Sequence, residues 1–391
     1  MPYAEGRTIH DADSHVMETP HWLLPYADPD IRERMKPLFL SAVKPGEETF
    51  IDDLQRRHAD PAERPQAEAE LMLRKNWSAL GSFVRDDRPR ALDLLGFASQ
   101  LVFNTFLNDY LCTSEHQPDV GFAYGLARVH NRAMFDFCSV DRRLLSTAYV
   151  PLADFALART IAEEAIAAGA RALLIPSACP AGHSPSHTGL FPVWAAAEEA
   201  RIPIVFHVGG GGRLLDPAYF ENGLPAVLDF HGGAENFRSV SFMAIPFPPM
   251  QTLATMIFDG IFDSFPHLRV GVIEQGAVWL PSWMRQLDTA LEAFRKGEER
   301  LQKLQLRPSE YVTRQMRVTP YPTEPVGWII EQTGPEVCLF SSDYPHVEGG
   351  RNPIKRFEDN LAGIDDATKQ RFYCDNFVDL MGAGLASGAP T

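Results

Sequence analysis

The chain alternates short, continuously apolar runs with longer stretches in which apolar residues recur every three or four positions. Runs of the first kind occupy 100–104, 145–150, 172–175, 202–207, 268–274, 316–319 and 337–343, and the more polar stretch 9–15 precedes them as a first strand. Helical spacing fills the intervals at 120–140, 154–168, 193–201, 252–265, 281–294, 326–332 and 368–381. In the second of these, Leu157, Ile161 and Ala165 recur at four-residue spacing, with Asp154 placed to cap the start and Gly169 to close the end. Short buried runs without polar alternation are what a parallel sheet covered on both faces requires. Strict strand–helix alternation leaves two architectures, a closed (β/α)8 barrel or an open doubly wound sheet. Eight units favour closure, and the first strand lacks the phosphate-binding glycine fingerprint that an open sheet more often shows. The expected fold is therefore α/β, a (β/α)8 TIM barrel formed by residues 1–391 as one domain.

The interval between the first two strands breaks this rhythm. Residues 16–97 are rich in proline and charge, as in Tyr26-Ala27-Asp28-Pro29-Asp30 and Asp60-Pro61-Ala62-Glu63-Arg64-Pro65. They are expected to form a long insertion after strand 1, a lid or subdomain without a catalytic motif. Within it, 67–80 has helical spacing that turns Leu71, Leu73, Trp77 and Leu80 inward.

Composition narrows the class. Apolar residues make up 45% and charged ones 22%, enough for a globular core. The net charge of −15 disfavours nucleic acid and anionic membrane surfaces as partners. Five scattered cysteines with no Cys-x-x-Cys suit a reducing compartment better than a disulfide framework. The N-terminus lacks an apolar h-region and no run approaches ~18 apolar residues, so a cytoplasmic protein without membrane spans is expected.

Chemistry collects at the ends of the apolar runs, which in a barrel is the catalytic rim. The first strand, Ile9-His10-Asp11-Ala12-Asp13-Ser14-His15, has a period of two that turns Asp11, Asp13 and His15 to one side. Such a group is costly unless a proton or cation joins it. Strand 5 ends in His207, strand 6 in Glu274 and strand 8 in Asp343, the residue types that hold a divalent metal while leaving room for water. Each alone is more often structural; their convergence on one rim is what points to a metal.

Asp-Ala-Asp-Ser-His near the N-terminus, Val-Phe-His-Val after a fifth strand and Ser-Ser-Asp-Tyr-Pro-His after an eighth resemble the amidohydrolase superfamily, in particular its branch related to aminocarboxymuconate-semialdehyde decarboxylase. The similarity covers about 7–15 and 98–382. It implies one divalent metal, zinc first and manganese second, held by Asp13, His15, His207 and Asp343. It also implies a small-molecule substrate and a homodimer. Two positions depart from the resembled pattern: Asp13 replaces the first histidine of a His-x-His pair, and Glu274 stands where the decarboxylases carry histidine. The carboxylate at position 13 tilts the site towards harder ions such as Mn²⁺.

A metal so held lowers the pKa of its water from about 15.7 towards ~7. Asp343 is then the expected catalytic base and Glu274 the second. Hydrolysis of a small organic substrate through a metal-activated water is expected ahead of non-oxidative decarboxylation, because Glu274 cannot play an imidazole's role unchanged. A barrel that binds a ligand without catalysis is the alternative of another class. Substrate contacts are expected from Arg213 after the Gly209–Gly212 run, from His231 in the long loop beyond it, and from His346 and Arg351 on the strand-8 loop. Asp11 is expected to hold a ligand in place rather than bind metal, with His10 and Ser14 facing away.

Overall fold

The computed structural model describes residues 2–38, 47–225 and 239–385. Seven strands, β1 (His10–Val16), β2 (Ser99–Asn104), β3 (Leu144–Tyr149), β4 (Ala172–Leu174), β5 (Ile204–His207), β6 (Val270–Ile273) and β7 (Met316–Val318), form one parallel sheet in sequential order. Every residue in them is buried, the polar residues of β1 included. The expected eighth strand is two isolated bridges rather than a ladder, Val318 with Cys338 and Ser14 with Tyr344. Backbone bonds from Leu339 to Val318 (3.1 Å) and from Asp343 to Asp13 (2.9 Å) tie the same segment to β7 and to β1, so the sheet curls round and meets itself.

Helices follow the strands much as the spacing predicts. The helix Phe155–Ala167 starts at Asp154, whose Oδ1 accepts from the Leu157 amide at 2.9 Å, and Gly169 beyond its end has φ +97°. The expected 252–265 helix is instead two, Phe247–Phe258 and Ile261–Ser264, broken at Gly260 with φ +77°. Residues 17–98 carry the helices Pro29–Arg32, Glu47–Ala59, Arg64–Ala69 and Arg88–Leu95.

The expected 67–80 helix ends at Ala69; Leu71, Trp77 and Leu80 are buried, but Leu73 is 57% exposed. The chain turns at Glu70, whose carbonyl takes the Leu73 and Arg74 amides, and Asn76 keeps a helix from resuming. Its φ of +54° cannot continue a helix, and its amide donates to the Pro345 carbonyl at 2.9 Å, a bond that a continuous helix would keep within itself.

Three buried glutamates fix the loops around the rim by accepting backbone amides. Glu18 takes Thr105 (2.9 Å) and Phe106 (3.2 Å), Glu115 takes Leu152 (2.7 Å), and Glu324 takes Ala277 and Tyr321 (both 2.9 Å). Burial raises Glu18 and Glu115 to about 7, against the pull of those amides. Among the described residues, no helix is long and apolar enough to cross a membrane.

Candidate metal centre

Asp13 and His15 leave β1 on the side that faces the ends of β5 and β6. Asp13 Oδ1 lies 3.1 Å from His15 Nε2 and 3.3 Å from His207 Nε2. Glu274 Oε2 lies 3.2 Å from His207 Nε2 and 3.7 Å from His15 Nε2, while Asp343 Oδ1 is 3.5 Å from His15 Nε2. All five side chains are buried. The structure therefore brings together the four expected ligands and adds Glu274 among the donors rather than behind them.

Both imidazoles are aimed by carbonyls. His15 Nδ1 faces the Asn104 carbonyl at 3.1 Å and His207 Nδ1 faces the Val208 carbonyl at 3.0 Å. A carbonyl only accepts, so Nδ1 carries the proton in each ring and Nε2 turns a lone pair into the cluster. Burial, and then the charge of His346, lowers His15 to about 4, which keeps the ring neutral.

His346 completes the group. It stacks on His15 with ring centres 3.9 Å apart and sets Nδ1 2.9 Å from Asp343 Oδ1. Its Nε2 lies 2.9 Å from Thr105 Oγ1, which donates to the Val16 carbonyl at 2.8 Å and so accepts from the ring. His346 Nδ1 is thereby left without a proton, and its contact with Asp343 needs a proton or a cation. Burial, and then the Asp13 charge, pushes Asp343 up to about 7, whereas burial lowers His346 to about 3; without a cation the proton belongs to Asp343.

The residues fit a divalent metal. Asp13 Oδ2, His15 Nε2 and both Asp343 oxygens are buried without a hydrogen-bond partner among the described residues, which is costly for polar atoms that no cation joins. Asp13, His15, His207 and Asp343 would hold it, with Glu274 within reach, and oxygen outnumbers nitrogen in that set.

The backbone at this centre is unusual. Glu274, just past β6, and Asp343, just before the Tyr344 bridge, have φ of +54° and +53°, the left-handed region that turns a side chain off the strand direction. Thr319 and Tyr321 fix the Glu274 kink, the first accepting its amide and the second donating to its carbonyl, both at 2.8 Å.

Asp11 does not point into the cluster. A register irregularity between Asp11 and Ser14 interrupts the period of two, and Asp11 instead accepts from the Ser342 amide (2.7 Å), the Ser342 hydroxyl (2.6 Å) and Gln100 (2.8 Å). It anchors the residue next to Asp343, the supporting role expected of it. His10 bonds Ser99 and Ser14 bonds the Leu101 carbonyl, both away from the cluster.

The expected substrate contacts fare unevenly. His346 lies in the centre. Arg213 is 63% exposed and paired with Asp216 at 3.2 Å, and Arg351 is exposed on its loop. His231 lies outside the described residues. A cavity of about 190 Å³ opens beside His207, lined by Ser177, Gly209, Gly211, Leu214, Ile245 and Gln275. A larger groove of about 410 Å³ adjoins it through Ser177, Gly211 and Leu214, and Arg213 lies along that groove.

Sequence reasoning missed Arg88, Lys75 and Glu348. The buried Arg88 guanidinium donates to the His15 carbonyl at 2.9 Å and to Gly81 at 3.2 Å, bracing the strand that carries two ligands. The left-handed geometry at Glu274 and the position of Lys75 have no local sequence signal.

An amidohydrolase family model matches residues 116–380. No curated protein matches the sequence. Among solved structures, an amidohydrolase from Mycobacterium avium subsp. paratuberculosis is similar at a TM-score of 0.73 and 20% identity, over 97% of this chain and 99% of that one. A 5-carboxyvanillate decarboxylase from Novosphingobium aromaticivorans, solved with manganese and 4-hydroxy-3-methoxy-5-nitrobenzoic acid, is similar at 0.63 and 18% identity, over 96% of each chain. A dihydroxybenzoic acid decarboxylase from a Polaromonas species, solved with manganese and 2-nitroresorcinol, is similar at 0.60 and 15% identity, over 96% of this chain and 97% of that one. At these identities the likeness is one of fold.

Proposed function

The chain belongs to the amidohydrolase family, and from that premise we propose that it is a metal-dependent carboxy-lyase, releasing CO2 from a small aromatic or otherwise unsaturated carboxylic acid. The observation that carries the reading is the third carboxylate: Glu274 stands with Asp13 and Asp343 around two neutral imidazoles. A divalent cation bound there supplies Lewis acidity, drawing electron density from substrate oxygens and acidifying water. Three carboxylates donate charge and blunt that acidity, which weakens a hydroxide-driven hydrolysis. Loss of CO2 needs no hydroxide. The bond between the carboxylate carbon and its neighbour breaks, the electron pair stays on the neighbour, and one proton replaces the carboxylate.

Asp343 is the group to pass that proton on, with His346 Nδ1 2.9 Å from its Oδ1. The cavity beside His207, about 190 Å³, matches a single substituted ring, given that a cavity of about 150 Å³ holds benzene. The decarboxylases among the fold neighbours, two of them with manganese, support the same reading, and the oxygen-rich donor set favours Mn²⁺ over Zn²⁺.

Hydrolysis is the second reading, in which Glu274, where the resembled decarboxylases carry histidine, serves as a base that orients a water. The two separate on isotopes. Protein loaded with Mn²⁺ and given a panel of aromatic and unsaturated acids in D2O should release CO2 and place deuterium on the vacated carbon. Oxygen-18 from water in a product, with no CO2, would establish hydrolysis instead. Full metal loading without turnover of acids, esters, lactones or amides would leave a ligand-binding barrel.

A further inference from the structure

Most buried charges in this protein have a visible reason. Glu18, Glu115 and Glu324 cap backbone amides, Asp11 holds Ser342, and Arg88 braces β1. Lys75 is different. Its Nζ is shut off from solvent and makes no hydrogen bond to any described residue. A buried ammonium in that state costs several kcal/mol unless something receives its protons.

The surroundings hold Lys75 against the segment that carries Asp343. Asn76, the next residue, is bonded through its amide to the Pro345 carbonyl, two residues beyond Asp343. Trp77 is locked by its indole N–H to the Glu18 carbonyl at 3.2 Å and by stacking on Phe106 at 5.3 Å. The charges that act on Lys75 are those of Asp343, Glu348 and Arg351, all from the segment that closes the ring.

Charge counting gives this cation a task. Three carboxylates, two neutral imidazoles and a divalent ion sum to −1, which repels an anion. The Glu348 and Arg351 charges cancel each other, and the Lys75 ammonium brings the sum to zero. We propose that Lys75 is the substrate anchor of this site, donating to an anionic oxygen of the substrate on the Asp343 side while the rest of the molecule occupies the cavity beside His207. The assignment rests on the carboxy-lyase reading for the identity of the anion, a carboxylate or an adjacent phenolate. Lys75 precedes the 116–380 match, so the anchor belongs to the part of the chain that the family model leaves out.

The test is equilibrium binding, which does not depend on turnover. Calorimetry on Mn²⁺-loaded protein compares salicylate with its neutral amide, in wild type, Lys75→Met and Lys75→Arg, with metal content and thermal midpoint recorded for each. Wild type should prefer the acid. Lys75→Met should lose about ten- to a hundredfold in acid affinity, the weight of one hydrogen bond to a charged group, with amide affinity and metal content unchanged. Lys75→Arg should keep most of the preference. Equal affinity for acid and amide in wild type overturns the proposal, as does a metal-replete Lys75→Met or, should that variant not fold, a Lys75→Gln that binds the acid as wild type does. Lysine-dependent acid binding with no CO2 from any acid would instead remove the carboxy-lyase reading and leave the anchor standing.

Discussion

Asp343→Asn offers the sharpest test of the electrostatics, because the side chain keeps its shape and loses its charge. Asp343 in the cation-free protein is pushed from an ordinary 3.8 to about 7 by burial and by Asp13. Moving a carboxyl group that far corresponds to roughly 4 kcal/mol. The sign follows from linkage: a folded-state value above the unfolded one gives stability that is complete below about pH 4 and lost as pH rises through about 7. The substituted amide carries no charge at any of these pH values and escapes that loss. Urea unfolding of chelator-treated proteins from pH 5 to pH 8 should show the variant gaining on wild type by roughly 3 kcal/mol over that range. Asp11 and Glu18 are also raised to about 7, but they contribute equally to both proteins and cancel in the difference. Adding Mn²⁺ at pH 8 should restore wild type and do little for the variant. Parallel pH profiles for the two proteins, or a variant less stable than wild type at pH 8, would refute the picture of a buried carboxyl group kept protonated for want of a cation.

Elemental analysis should find about one divalent ion per chain in wild type, and His207→Ala should bring it near zero, since it removes an imidazole already aimed by the Val208 carbonyl. Asp11→Ala should leave Ser342 without its two acceptor contacts and weaken metal affinity by about 10- to 100-fold, measured by competition with a chelating dye. Gly349→Ala would place a Cβ 2.0 Å from the Ser342 carbonyl oxygen and 3.0 Å from Asp343 Cβ, so the loop must move. The expected result is a loss of metal binding and turnover with the far-UV spectrum unchanged, and a variant with native metal affinity would show that the Asp343 position tolerates displacement.

The strands were legible because burial on both faces leaves an apolar run that no helix or loop imitates, and β2 to β7 fall within two residues of the runs. The last run was read as a strand on the same grounds, but it makes only bridges at 338 and 344 and spends the rest of its length presenting Ser342 and Asp343. The ligands were legible because Asp13, His15, His207 and Asp343 end their runs. Asp11 shared their pattern, and only the register irregularity before Ser14 separates it from them. Glu274 was seen, but its place among the donors depends on a left-handed kink that side-chain identity does not signal. Lys75 was invisible for a different reason: its position is set by a bond between residues 76 and 345, and nothing near it in sequence reports that partner.

The kink at Glu274 has a consequence for how this site can change. Left-handed backbone excludes β-branched side chains but accepts glycine, asparagine, aspartate and histidine more readily than most. Thr319 and Tyr321 grip the peptide there through its amide and carbonyl, bonds that any side chain at 274 leaves in place. Position 274 is thus a socket: an imidazole can replace the carboxylate without rebuilding the sheet, shifting the charge of the centre by one and leaving its architecture alone. Chemistry at this barrel mouth is interchangeable at a point where the fold has already met the cost of the bend.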